Sequence, residues 1–187
     1  MARSRSKIRP STKRLTVRPA GLKDLDVLVH QRRAMWIDLG VGDRSRHEKA
    51  DKIYRRWAET RLRNHQLKAW LVQNHDGRIA GGGCMWLQPI QPNPKRTDML
   101  QPYLLSMYTE PEFRRRGVAS MVVSKAVEWC GKKGYGRLML HASEMGRSVY
   151  KKFGFRRTWE MRLDLEQSSA RSKHSRRAIV RRPIVSA

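Results

Sequence analysis

An α/β (α+β) domain, one mixed sheet with helices on both sides, is the fold class this sequence predicts. Three observations predict it. Segments with strand-like alternation are interleaved with segments of helical apolar spacing. The stretch "LKAWLVQNHDGRIAGGGCMWLQPI" is a hairpin signature: a strand, the turn "NHDG" and a second strand. Finally, the chain has 187 residues of which 39% are hydrophobic, six of them Trp, enough to bury one core.

The elements follow in order. "RLTVRPA" (14–20) alternates like a short strand and stops at Pro19. "LKDLDVLVHQRRAMWIDLG" then places Leu22, Leu25, Leu28 or Val29, and Ile37 or Leu39 near helical spacing and ends at Gly40. A strongly charged second helix is expected from about Arg44 to Asn64, with Ile53, Trp57 and Leu62 as its apolar stripe. After it comes the hairpin, whose Gly81-Gly82-Gly83 implies a bulge or a close backbone approach. "QPIQPNPKRTDMLQP" is a Pro-rich loop of the kind that lines sites, and "YLLSMYTEP" (103–111) is a buried strand. From Val118 to Lys133, Ala119, Val122, Val123, Ala126, Val127 and Cys130 make one broad apolar helix face. "RLMLHAS" (137–143) is a strand, "MGRSVYKKFGF" a short helix closing on Gly154, and "RRTWEMRLDLE" a last strand. The order is β-α-α-β-β-β-α-β-α-β, with no internal repeat.

The formal net charge of +25 is unevenly spread. Residues 1–18 hold seven Lys/Arg and residues 167–187 hold six, with no acidic residue in either stretch. Residues 1–13 and 167–187 therefore read as basic flexible arms around a domain spanning 14–166. Such arms bind polyanions weakly at low salt. The N-terminal arm also matches a transit peptide in composition but lacks an amphipathic stripe. No apolar run approaches a membrane span, so no membrane partner is expected. With Cys84 and Cys130 as the sole cysteines there is no disulfide framework, and a cytoplasmic location is expected. Cys84 has no evident base partner and reads as buried filler rather than nucleophile.

"EFRRRGVASM" (112–121) differs from the arms because its charge has a pattern. A loop with a glycine joins a buried strand to the first turn of an apolar helix. Unpaired N–H groups and the helix dipole make that junction an anion site. Gly117 and Ala119 keep the backbone accessible, while Arg114 and Arg116 add charge-assisted donors.

These residues carry a resemblance. "MYTEPEFRRRGVASMVV" resembles the acyl-CoA-binding motif of the GCN5-related N-acetyltransferase (GNAT) superfamily, with Arg114-Arg115-Arg116-Gly117-Val118-Ala119 matching Arg/Gln-x-x-Gly-x-Gly/Ala. "SEMGRSVYKKFGF" resembles the family's Asn-x-x-Ala…Tyr-x-x-x-Gly-Phe segment, although Ser143 stands for the usual Asn and Gly146 for the usual Ala. The element order agrees from about Leu15 to Leu165. The resemblance implies a mostly antiparallel sheet of six to seven strands and acetyl-CoA as acyl donor, with no metal. It implies that the pyrophosphate rests on the amides of Arg114, Arg115, Arg116, Gly117, Val118 and Ala119, with Ser120 beside them. The pantetheine arm would pair with the backbone of Met107, Tyr108 and Thr109, in a V opened by divergence from "RLMLHAS". Ser143 and Gly146 would flank the cofactor.

The implied reaction is acetyl transfer to a primary amine by direct attack on the thioester. Tyr150 occupies the position of the general acid, and a phenol near pKa 10 is protonated at neutral pH and able to donate to a thiolate. The base stays open between His141, Glu144 and ordered water, because Tyr103 stands where some relatives carry a Glu. Trp36, Trp86 and Tyr103 are candidates for the acceptor pocket, or equally for core, and Asp38 or Asp43 for pairing with an ammonium. A homodimer is compatible with the sequence. The alternative is a non-catalytic acyl-CoA or nucleic-acid-binding module that works through its arms.

Overall fold

The computed structural model describes residues 15–92, 94 and 99–163. The expected arms, 1–13 and 167–187, lie outside the described residues. The chain divides into two units, residues 1–155 and 156–187. In the first, β1 (Thr16–Ala20) leads through a 3₁₀ turn to α1 (Leu25–Asp38) and α2 (Arg44–Arg63). β2 (Leu67–Gln73), β3 (Ile79–Pro89) and β4 (Leu100–Thr109) follow. A 3₁₀ turn at Pro111–Phe113 then precedes α3 (Val118–Lys132), β5 (Met139–Leu140) and α4 (Arg147–Lys152). In the second unit the described residues 156–163 carry no regular structure. The last strand expected from "RRTWEMRLDLE" is thus not formed over those residues: alternation does not make a strand without a neighbouring ladder.

Among the described residues the sheet has five strands, not the six to seven expected, in the order β1-β2-β3-β4-β5. The first three pairings are antiparallel. β4 and β5 are parallel, and they pair only at Tyr103↔Met139 and Leu104↔Leu140. β5 ends at Leu140, so beyond Leu104 no strand is described on that edge of β4. The β2–β3 turn is organised by Asn74, a buried side chain whose Oδ1 accepts from the N–H groups of Asp76 (3.1 Å) and Arg78 (2.9 Å).

Two apolar clusters pack on the sheet. One joins α3 and α4 to it through Val118, Val122, Val123, Ala126, Cys130 and Tyr150. The other joins α1 and α2 through Leu25, Leu28, Val29, Tyr54 and Ala58. The helices occur as expected, but their buried faces are turned. On α2 the buried residues are Tyr54 and Ala58, while Ile53 is 61% exposed. Arg61 lies on the rings of Trp57 and Trp86, at 4.4 and 5.4 Å, so its stem and the aromatics cover surface that an aliphatic count would assign elsewhere. On α1 the inner positions include Gln31, and Ile37 and Leu39 face outward. On α3, Val118 is buried and Val127 is exposed.

The three glycines of β3 let helices approach both faces of the sheet. A Cβ at Gly82 would stand 2.7 Å from the Trp70 carbonyl oxygen and from Gln31 Oε1, and one at Gly81 would stand 2.8 Å from Val118 Cγ1. The register also shifts here, between Gly82 and Cys84, against Leu105–Tyr108 of β4. Gly82→Ala should therefore destabilise the protein by about 1–3 kcal/mol, measured by urea unfolding, since backbone rather than a movable side chain is in the way. An unchanged midpoint would contradict this packing.

Candidate active site

The loop after β4 is assembled locally. Glu110 N–H donates to Ala80 O at 3.0 Å, which fixes the end of β4 beside β3. Pro111 opens the 3₁₀ turn, and Phe113 drops into the core as its anchor. Above that ring sit the guanidinium groups of Arg116 (5.4 Å) and Arg78 (5.6 Å); Arg78 also pairs with Glu112. Arg115 (φ 61°) and Gly117 (φ 82°) are left-handed, so the backbone coils back on itself before α3 starts. Helix geometry leaves the N–H groups of Val118, Ala119 and Ser120 without intrahelical acceptors, and Met121 N–H is the first to close, on Gly117 O at 3.0 Å. A Cβ on Gly117 would meet no atom within 4 Å. The glycine faces open space in front of a row of amides. This combination fits an anionic group laid against the loop.

Arg114 does something the sequence did not announce. Its Nε donates to Thr109 O at 3.2 Å, and Nη2 pairs with Asp38 at the end of α1. His30 of α1 faces Glu110 at 3.5 Å. The loop is thereby tied to α1 at two points. Asp38 is engaged with the loop, whereas Asp43 caps α2 by accepting from Arg46 N–H at 2.9 Å.

Met107, Tyr108 and Thr109 lie on β4 past its last pairing with β5, with β3 on their other side. At the vertex, where the β4–β5 pairing stops, sits Ser106, buried and left-handed at φ 53°, a conformation rare for a non-glycine residue. Across the vertex, the Tyr103 hydroxyl is hydrogen-bonded to His141 Nδ1. Ser143 Oγ accepts from Gly146 N–H at 3.3 Å and so shapes the entry to α4. A Cβ at Gly146 would meet the Tyr150 ring at 3.0 Å, which accounts for the glycine where relatives carry Ala. Tyr150, 9% exposed, packs edge-on against Phe155. Burial raises its pKa above the usual phenol value.

On the α1/α2 side of the sheet, Trp86 packs edge-on against Trp57 at 5.4 Å. Trp36 and Tyr54 flank the Arg32 guanidinium at 5.6 and 4.6 Å. Arg32 Nη1 donates to Ser106 Oγ at 3.3 Å. Sequence reading missed both Arg32 and Ser106; the glycines opposite Ser106 were the one signal of an irregular β4. Cys84 is fully inside, 3.8 Å from the Tyr54 hydroxyl, and burial pushes its thiol up to about 11, which suits filler rather than nucleophile. Among the described residues, no group of three or more His, Cys, Asp or Glu could hold a metal ion, and no helix is long and apolar enough to cross a membrane.

The open edge of β4 beside an amide-lined loop is shared ground for comparison with known proteins. Residues 32–155 match the Acetyltransferase (GNAT) family, to which the chain belongs. A predicted acetyltransferase from Clostridium acetobutylicum, solved with acetyl-CoA, superposes with a TM-score of 0.74 at 28% identity, covering 82% of this chain and 98% of that one. A GCN5-related N-acetyltransferase from Ralstonia eutropha JMP134 gives 0.73 at 25% identity, with 81% and 98% covered. The uncharacterized N-acetyltransferase YsnE of Bacillus subtilis (strain 168) is 30% identical over 100 residues, 51% of this chain and 60% of that protein's length.

Proposed function

We propose that this protein binds acetyl-CoA and transfers its acetyl group to a primary amine by direct attack on the thioester. The observation that carries the reading is the edge of β4 left open where β5 ends, after the Leu104–Leu140 pairing, beside the amides of the Arg114–Ser120 loop. The loop offers N–H donors and arginines to the pyrophosphate. On the side away from β3, where Thr109 O is taken by Arg114, the backbone of Met107, Tyr108 and Thr109 offers strand-like pairing to the pantetheine amides. That arrangement aims the thioester at the vertex, where an N–H of the irregular stretch around Ser106 can polarise a carbonyl.

Acetyl-CoA supplies an activated acyl carbon: its C–S bond breaks as the amine nitrogen bonds to that carbon. The protein's part is to manage protons. Tyr150, held neutral by burial, gives its proton to the leaving sulfur and later regains one from solvent. His141, bonded to Tyr103, or water at the open edge of β4 accepts the proton lost by the amine.

The test is a panel of primary amines followed by CoA release with a thiol reagent, beside a thermal-shift assay with acetyl-CoA. Release dependent on an amine, together with a raised Tm, is the expected result. A Tm unmoved at millimolar acetyl-CoA overturns the reading.

A further inference from the structure

We propose that the acceptor is an amino-carboxylate, a primary amine bearing a carboxylate that docks on Arg32. This deepens the N-acetyltransferase reading and rests on it. Arg32 is half-buried at the centre of the α1/α2 side. Its flat faces lie near the rings of Tyr54 (4.6 Å) and Trp36 (5.6 Å), and a single donor is used on Ser106 Oγ. A guanidinium has five N–H donors, and the planar edge suits a carboxylate bidentately.

Its neighbours are treated differently. Arg33 pairs with Asp51, Arg55 with Asp26, Arg63 with Glu59 and Arg114 with Asp38. Arg32 makes no ion pair among the described residues. A cation withdrawn from water and stacked, yet left without an anion, is costly unless a ligand completes it.

Location ties the arginine to the reaction. Ser106 lies two residues past Leu104, the last β4 residue paired with β5. A thioester drawn along Met107–Thr109 ends near that vertex. On the α3 face Val118 and Val122 pack closely onto β3 at Gly81 and Gly83, so the acceptor is assigned to the other face, which carries Arg32. The bare structural role, a staple of α1 onto Tyr54 of α2, explains the stacking. It does not explain why the guanidinium edge is turned to the hydroxyl at the vertex.

The experiment offers α- and ω-amino acids, each beside its carboxamide, to the full chain with acetyl-CoA. For at least one pair the acid form should exceed the amide by about tenfold in kcat/KM. Arg32→Met should erase that preference mainly through KM, Arg32→Lys should retain part of it, and KM for acetyl-CoA should stay as in the parent. In CoA-loaded protein the Arg32 Nε–Hε NMR signal should shift with the acid and not with the amide. Amides that equal acids, or a preference that survives Arg32→Met, overturn the proposal. If no amine is acetylated but acids shift the Arg32 signal, the carboxylate site stands and the transfer reading falls; no shift with any acid overturns the site. Arg32→Met that fails to fold leaves the parent's acid-to-amide ratio and NMR shift as the deciding measurements.

Discussion

Tyr150→Phe should lower kcat by about 10²-fold or more while leaving acetyl-CoA affinity nearly unchanged. The ring is the part of Tyr150 that packs, against Phe155 and beneath Gly146, and phenylalanine keeps it. On the proposed mechanism, what disappears is the proton for the leaving thiolate. Burial raises the pKa, so the hydroxyl remains protonated up to and beyond the ordinary phenol value near 10. The basic limb of the parent's kcat–pH profile that belongs to this group must therefore lie above about pH 10. Steady-state kinetics at saturating acetyl-CoA, with a thermal-shift titration as the binding control, make the measurement. Full turnover in the variant would reduce Tyr150 to a packing residue.

Gly117→Ala should weaken acetyl-CoA binding by at least about tenfold, read by calorimetry. Two effects act together. Alanine at φ 82° costs about 1–2 kcal/mol of backbone strain. Its methyl group also projects into the open space before the amides, where nothing lies within 4 Å. A control separates them: Gly134 is left-handed as well (φ 73°), with the same empty surroundings, but lies at the far end of α3. Gly134→Ala should lower Tm similarly and leave affinity intact. Equal loss of affinity in both variants would mean that strain alone was measured.

These two residues were visible in the sequence on different grounds. Gly117 stands out from the strand–loop–helix pattern of an anion site, whereas Tyr150 was placed by the resemblance of "SEMGRSVYKKFGF" to the family's segment. The helices and all five described strands lie in segments legible from periodicity. What was not legible depends on partners distant in sequence. Which face of α2 is buried was decided by Arg61 lying over Trp57 and Trp86. The strand expected at 156–166 needed a ladder that its own alternation cannot supply, and 164–166 fall outside the described residues. Asp38 meets Arg114 across 76 positions, and Arg32 meets Ser106 across 74. Nothing in "HQRRAMWID" distinguishes Arg32 from Arg33; only the fold does, by placing one against Asp51 and the other against aromatic rings.

The end of β5 at Leu140 has a consequence for solubility. It leaves an edge on β4, with a row of backbone groups open to any extended chain, and such edges invite strand addition and aggregation. Here the last carbonyl of that edge, Thr109 O, is occupied by Arg114, which Asp38 holds in place. Arg114 thus guards the outer end of that edge: a charged side chain stands where a foreign strand would begin to pair.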